Sequence, residues 1–324
     1  MKVRKKIGLA KKLLGLFLVV VIIILVVNRQ LVSDFVRGSF YSPSADMIEV
    51  RKKLNLTNKG EMIFNASWPE LNDEEKFNIN CLSYNEAEAI LGCYKGQKIY
   101  VYNISDAELD GIVELATAHE LLHAVYERMA IDDKNRMKTL LEKFYEENQG
   151  ILKEEIEFYD GGERLEELYV RVGTEIRNLP EILEAHYAEI FKDRSRIVSY
   201  YESYIGVFRR LEEESNKLEV DMRALKERID VLSSEYEIEA KQLNKEIYIF
   251  NNCAETANCF SDNNEFNLER SKLIIKQANL KDIYKRIDDL INKYNSDVEE
   301  FNNNVVRHKT LQNIINSHVV VEGI

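Results

Sequence analysis

The chain has 324 residues, enough for two ordinary domains, and it carries a net charge of −12 with a pI near 5.2. An acidic surface repels phosphate backbones, so this composition argues against nucleic acid as a partner. Three prolines, thirteen glycines and 31% charged residues indicate long helices rather than a turn-rich β fold. We therefore expect an α+β protein that is mainly α.

A basic segment followed by an apolar run opens the sequence. Residues 13–27 carry no charge and would cover about 22 Å of a roughly 30 Å hydrocarbon core as a helix. If Lys11 and Lys12 extend toward the headgroups, the span begins near Ile7 and reaches about 21 residues. Residues 1–28 are thus predicted to be a cytoplasmic tail and a single transmembrane anchor.

The same segment has a second interpretation as a cleaved signal peptide. Residues 28–33 offer no small-x-small cleavage site, which favours an uncleaved anchor. The excess of basic residues before the span predicts a cytoplasmic N-terminus and an extracytoplasmic remainder, at the cell membrane. The basic residues are Lys2, Arg4, Lys5, Lys6, Lys11 and Lys12 before the span, against Arg29 and Arg37 after it.

All four cysteines follow the predicted anchor, in two close pairs. Neither pair has the CxxC spacing of a metal knuckle. In an oxidising compartment the simplest interpretation is two local disulfides, and the alternative is four free thiols in a reducing one. The predicted pairs are Cys81 with Cys93 and Cys253 with Cys259.

Residues 29–97 show no clear periodicity, and we expect irregular structure with short strands there. The β-branched and aromatic run at residues 98–103 predicts a strand. Ser105 and Glu108 have the spacing of a capping box, which predicts that a helix containing residues 112–129 begins there. Further helices are expected at about 133–157 and 163–178, and another one after Pro180. Residues 29–190 would form one domain.

Apolar residues recur every three or four positions along residues 201–243 and again along 273–305. A polar segment, residues 251–264, separates the two runs and contains the second cysteine pair. The simplest architecture for residues 191–324 is an antiparallel coiled-coil hairpin with this pair at its tip. The alternative is two helices that pack into an intermolecular coil with a protein partner.

The segment HELLH, residues 119–123, lies within the predicted helix after the strand. His119 and His123 are four residues apart and therefore share one helix face, where two imidazoles can bind one Zn²⁺. Glu120 is placed to act as the general base that takes a proton from a water on the metal. The alternative is an amphipathic helix that happens to expose two histidines.

This segment and the strand before it resemble the zincin metallopeptidases. Tyr126 and Met129 stand where the metzincin branch has its glycine and third histidine, so the chain is more similar to the gluzincin branch. That resemblance implies a third metal ligand, a glutamate, on a later helix. Glu167 begins an ELYVR stretch similar to the ligand helix of several gluzincins, whereas the apolar stripe of this helix lies closer to Glu175. We take Glu167 as the predicted third ligand and keep Glu175 as the alternative; the one that is not a ligand could orient a ligand histidine.

A peptidase of this type also needs a donor for the tetrahedral oxyanion, and Tyr159 and His186 are the candidates. The sequence thus predicts a membrane-anchored zinc peptidase that acts on a peptide or protein. A zinc hydrolase that acts on a cell-wall peptide would have the same residue types at the metal, so the sequence does not separate the two. The alternative is a coiled-coil interaction protein with a non-catalytic zinc site.

Overall fold

The computed structural model describes residues 28–81, 91–148, 150 and 161–316, together with residues 16, 17, 19, 20, 23 and 26. Within these ranges the protein is mainly helical with one small sheet, as the composition predicts. Two compact units are present: residues 1–207 with 312–324, and residues 208–311. The sequence had suggested a boundary at residue 191.

Four helices and a strand occupy the segment that was expected to be irregular: α1 (Arg29–Ser39), α2 (Ala45–Leu54), α3 (Asn58–Ala66), β1 (Glu70–Asn72) and α4 (Glu74–Cys81). That expectation was wrong for the helices. Ser44 and Thr57 cap α2 and α3 by accepting hydrogen bonds from backbone amides three residues later. These helices are only 10 and 9 residues long, which is too short to repeat an apolar pattern clearly.

The sheet has the order β1-β3-β2 and is completed by β2 (Gly92–Lys95) and β3 (Lys98–Tyr102). β1 runs parallel to β3, and β2 runs antiparallel to it with Gly92 opposite Val101. The strand predicted at residues 98–103 is therefore present as β3. Ile99 and Val101 point into the core, as the alternation of β-branched and aromatic residues requires.

Helix α5 (Ile112–Glu127) carries HELLH and contacts β2 and β3 as well as α2 and α3. It does not begin at the predicted capping box. Asp106 instead accepts a hydrogen bond from the amide of Glu108 and caps a short 3₁₀ turn, Ala107–Leu109, and Gly111 with φ of 91° precedes α5. Most of α5 is buried because protein surrounds it on several sides.

Three further helices follow: α6 (Ile131–Glu147), α7 (Gly161–Glu175) and α8 (Glu181–Tyr187), which begins after Pro180 as predicted. The part of the predicted 133–157 helix at residues 151–157 lies outside the described residues. α7 packs on α5 and α6. At Gly173 the helices approach so closely that a Cβ atom would lie 2.4 Å from Cδ1 of Leu122.

Two long helices complete the chain, α9 (Arg194–Glu255) and α10 (Asn263–Ile315). Between residues 208 and 311 they pack against each other in antiparallel orientation, as the hairpin prediction requires. Tyr236 packs on Tyr284, and Lys276 forms an ion pair of 2.6 Å with Glu246 nearer the tip. Three aromatic rings close the tip with centroid distances of 5.2–5.4 Å: Phe250, Phe260 and Phe266.

Both predicted cysteine pairs lie at disulfide distance. The Cα atoms of Cys81 and Cys93 are 6.0 Å apart, and those of Cys253 and Cys259 are 5.3 Å apart. The first pair joins α4 to β2, and the second lies at the tip of the hairpin, as expected.

None of the helices in the part of the chain that the structure describes is both long and apolar enough to cross a membrane. The basic segment, residues 1–12, and much of the predicted span at 13–27 lie outside the described residues. The transmembrane anchor therefore stays a prediction from the sequence.

Candidate metal centre

Helix α5 presents two histidines from adjacent turns. The ring centroids of His119 and His123 are 5.1 Å apart, and their side chains are 22% and 18% exposed. The neighbouring positions Ala118, Leu121, Leu122 and Val125 are buried in the core, which fixes the rotation of the helix. The two imidazoles are therefore held side by side and still within reach of solvent.

Helix α7 brings a carboxylate to these rings. Oε1 of Glu167 lies 3.5 Å from Nε2 of His119, and Oε2 lies 3.4 Å from Nε2 of His123. Ligands of a tetrahedral zinc ion at about 2.0–2.1 Å are separated from one another by about 3.4 Å. The two imidazole-to-carboxylate separations match that edge length. His119, His123 and Glu167, with ligand atoms within 4.8 Å of one another, could thus hold a metal ion.

Of the two glutamates considered for the third position, Glu167 is the one whose carboxylate lies against the histidines. Arg171, one turn later on α7, donates to Oε1 of Glu167 at 2.8 Å and lies 3.5 Å from Oε1 of Glu175. The described contact of Glu175 near the cluster is this one with Arg171. An orienting role for Glu175 toward a ligand histidine stays a prediction from the sequence.

Glu166 lies in an orienting position beside His123. Its Oε1 lies 2.9 Å from Nδ1 of His123, on the side of the ring opposite to Nε2. This hydrogen bond favours the tautomer in which Nδ1 carries the proton and Nε2 offers its lone pair. The arrangement is typical of a histidine that binds a metal through Nε2.

The predicted general base, Glu120, lies on α5 between the two histidines in sequence and is buried. Its side chain packs against the backbone of β2 at Gly92. A Cβ atom at position 92 would lie 2.6 Å from Cγ of Glu120 and 2.9 Å from its Oε1. Glycine at this position therefore leaves the room that the glutamate side chain occupies.

The electrostatics of the cluster reflect burial against opposite charge. Burial lowers the pKa of His119. Burial also disfavours the charged form of His123, but its bonds to Glu166 and Glu167 outweigh this and raise its pKa to about 10. Burial would raise the pKa of Glu167, yet the two histidines hold it well below its usual range. Metal binding would displace protons from the imidazoles.

The structure describes one of the two candidate oxyanion donors, His186. Tyr159 lies outside the described residues. His186, on α8, has its Nε2 3.0 Å from the hydroxyl of Tyr169 and packs in an edge-to-face arrangement on Tyr187. Burial lowers its pKa. The described contacts of His186 are with the aromatic cluster beside α7, and its role as an oxyanion donor stays a prediction.

Sequence reasoning missed three residues of this site: Glu166, Arg171 and Gly92. Glu166 directly precedes the predicted ligand, and Arg171 is four residues after it, at the spacing of a helical ion pair. These spacings were visible in the sequence, but they do not reveal the face on which α5 lies. Nothing in the sequence around Gly92, apart from its position next to Cys93, indicated that it contacts the site.

The His119–His123–Glu167 cluster is the only group of metal-ligating side chains of this kind in the described ranges. Comparison with family models, with curated proteins and with solved structures finds no match to this chain. The function must therefore be argued from the chemistry of the cluster itself.

Proposed function

We propose that the chain is a zinc-dependent peptidase of the zincin type. The observation that carries the proposal is the convergence of two imidazoles and one carboxylate, 3.4 and 3.5 Å apart, beside a buried glutamate on the same helix. Three protein ligands of this kind leave the fourth tetrahedral position for water or substrate, as catalytic zinc sites do. Structural zinc sites instead use four protein ligands, most often cysteines.

Each side chain has a distinct role in this mechanism. His119, His123 and Glu167 would hold Zn²⁺, which when bound would activate water and polarise the scissile carbonyl. Glu120 would take a proton from the attacking water and pass it to the leaving amine. Glu166 keeps His123 in the tautomer that leaves Nε2 available.

The proposal includes the predicted placement of this site outside the cytoplasm, at the cell membrane. The basic segment before the apolar run supports that orientation. Two cysteine pairs at disulfide distance in residues that follow the run also support it. The substrate would then be a peptide or protein outside the cytoplasm.

Metal content is the first test. The purified full chain should bind one zinc ion per molecule, and His119→Ala and Glu167→Ala should lose it. His308→Ala is a matched control, because His308 packs on Phe208 in the hairpin. If the wild-type chain retains no more zinc than His119→Ala does, the proposal is wrong.

Turnover is the second test. A peptide library should be cleaved by the zinc-loaded chain, and a chelator should abolish the cleavage. Glu120→Gln should retain zinc and lose at least about 100-fold in kcat, since general-base catalysis contributes about 10²- to 10⁴-fold. Equal cleavage by Glu120→Gln and the wild type would assign the activity to a contaminant.

The alternative function, an interaction protein, is favoured by the surface of the hairpin. Several large apolar side chains are exposed along it: Val220, Val231, Ile238, Tyr248, Ile249, Leu268, Ile274 and Ile275. Residues 208–311 can be replaced by a short flexible linker, because both flanking segments belong to the same compact unit. A peptidase should retain zinc and some peptide cleavage after this replacement, whereas an interaction protein should lose its binding partner and have no cleavage to retain.

The replacement must not begin at residue 191. Arg194, at the start of α9, is buried and donates to the carbonyl oxygens of Gly173, Ile176 and Arg177 at the end of α7. It also pairs with Glu184 on α8 at 2.6 Å. Removing Arg194 would destabilise the packing of α7, which carries Glu167. A loss of folding could then not be distinguished from a loss of function.

A further inference from the structure

Helix α1, which directly follows the apolar run, has one face fixed to the rest of its unit. Asp34, 3% exposed, accepts two hydrogen bonds of 3.1 Å from Nε of Arg128. Arg37 donates to the carbonyl oxygens of Ala66 and Gln97 at 3.0 and 2.9 Å. The polar side of α1 therefore has a defined set of protein partners.

The other face of α1 is apolar and exposed. Phe35 is 72% exposed, and Phe40, which follows the last turn, is 75% exposed. Together with Leu31, Val32 and Val36, these residues recur at the spacing of one helix face. Five large apolar side chains on one stripe form a contiguous exposed patch, and such patches indicate an interaction site.

The sequence on the N-terminal side indicates what that partner is. The exposed apolar character continues through residues Leu16, Phe17, Val19, Val20, Ile23 and Val26. This is the run that the sequence predicts to lie in the hydrocarbon core. A turn at Asn28 separates it from α1, so α1 does not have to continue along the axis of the span. A helix that leaves a bilayer in this way and keeps an apolar face is suited to lie in the interface.

A basic and aromatic cluster lies at the C-terminal end of α1. The guanidinium carbon of Arg37 is 5.6 Å from the ring centroid of Trp68, and Nζ of Lys98 is 5.1 Å from it. Trp68 donates from Nε1 to the carbonyl oxygen of Arg37 at 2.9 Å. Tryptophan with lysine or arginine is typical of the headgroup region, and the two cations stand out in a chain of net charge −12.

We propose that the exposed face of α1 is covered by the surface of an anionic phospholipid bilayer. Leu31, Val32, Phe35, Val36 and Phe40 enter the boundary between headgroups and acyl chains, and Lys98 faces the phosphates. The metal-binding helix is thereby held at the membrane, because Arg128 directly follows α5 and is bonded to Asp34. This inference depends on the predicted anchor and is independent of catalysis.

The test uses the full chain in lipid nanodiscs of phosphatidylcholine and phosphatidylglycerol. Trp68 is the only tryptophan of the chain, so Trp68→Phe, which keeps an aromatic ring beside Arg37 and Lys98, provides a background in which a single tryptophan can be placed. Phe35→Trp and Phe40→Trp are the test positions, and Val20→Trp is the position inside the predicted span. Ile182→Trp is the matched control, an exposed apolar residue on α8. The probe is phosphatidylcholine brominated on its acyl chains, which quenches tryptophan that it contacts.

We expect quenching and a blue-shifted emission at positions 20, 35 and 40, and neither at position 182. Quenching at 20 but not at 35 and 40 overturns the proposal, because the face is then outside the lipid. Absence of quenching at position 20 overturns it as well, since the anchor is then not inserted. If positions 35 and 40 are shielded from soluble quencher but not quenched by brominated lipid, a protein covers the face instead. The far-UV circular dichroism and thermal midpoint of each variant verify folding, so the result at the membrane is read independently of whether the chain binds zinc.

Discussion

Glu166 and His123 form a hydrogen bond of 2.9 Å through Nδ1, while Nε2 of the same ring faces Glu167 at 3.4 Å. The imidazole is therefore fixed from both sides, and only one of its nitrogens is left for a metal. Loss of a partner that orients a ligand histidine costs about 10- to 100-fold in metal affinity. We expect Glu166→Ala to weaken zinc binding by this factor, measured by competition with a chelator of known affinity.

Glu163→Ala is the matched control for that measurement. Glu163 lies on the first turn of α7 and is exposed. Its removal takes away a similar negative charge from the same helix without touching an imidazole. If both variants weaken zinc binding equally, the effect is one of net charge, and Glu166 does not orient His123.

Gly92→Ala should separate metal binding from turnover. The added Cβ would lie 2.6 Å from Cγ of Glu120, so the glutamate must move; the three atoms nearest to this Cβ all belong to Glu120 and not to a metal ligand. We expect zinc content to be retained and kcat to fall by about 100-fold or more, as for loss of the general base. Gly162→Ala is the control, because nothing lies within 4 Å of its added Cβ. Wild-type kcat in Gly92→Ala would show that Glu120 is not constrained by β2.

The features that the sequence predicted best were the two long apolar repeats and one short motif, HELLH. The heptad spacing predicted α9 and α10 because apolar positions repeat over many turns, and HELLH predicted a metal helix because four residues make one turn. The preference for Glu167 over Glu175 rested on the resemblance of its ELYVR stretch to gluzincins, since periodicity alone does not show where α7 crosses α5. The apolar stripe of α7 favoured Glu175, yet Glu167 itself is buried, 5% exposed, against the imidazoles.

Short elements were harder to predict for a related reason. Helices α2 and α3 are defined by the hydroxyl caps Ser44 and Thr57 and by burial of residues such as Met47 and Phe64 in the shared core. Such burial is a tertiary property that overrides weak local propensity. The start of α5 was also predicted wrongly. The Ser105 to Glu108 spacing predicted it at a capping box, whereas the side chain of Asp106 caps a 3₁₀ turn there.

The ion pair between Asp34 and Arg128 should be worth more to stability than a surface pair. Both side chains are buried, and Arg128 also donates to the hydroxyl of Tyr94 at 2.9 Å. Removing one partner of a buried pair leaves an uncompensated charge and costs about 3–5 kcal/mol. We expect Asp34→Ala to lower the thermal midpoint of the zinc-bound chain strongly, and Asp34→Ala with Arg128→Met to recover part of the loss. A double variant that is less stable than the single one would contradict this account.

Removal of the Cys81–Cys93 pair should destabilise the unit that contains the metal centre. The two residues are 12 apart in sequence, and closing a loop of this length stabilises the folded state by about 3 kcal/mol in the chain-entropy model. Cys93 lies on β2 next to Gly92, so loosening this strand also frees the backbone against which Glu120 packs. We expect Cys81→Ser with Cys93→Ser to lower the thermal midpoint and to lower kcat.

Cys253→Ser with Cys259→Ser is the matched comparison for that variant. This pair closes a shorter loop, 6 residues apart, at the tip of the hairpin, and belongs to the other compact unit. Its removal costs about 2 kcal/mol in the same chain-entropy model. The loss falls on the hairpin, so kcat and zinc content should stay at the wild-type value. If both double variants lower kcat to the same extent, the Cys81–Cys93 pair has no specific role in holding β2 against Glu120.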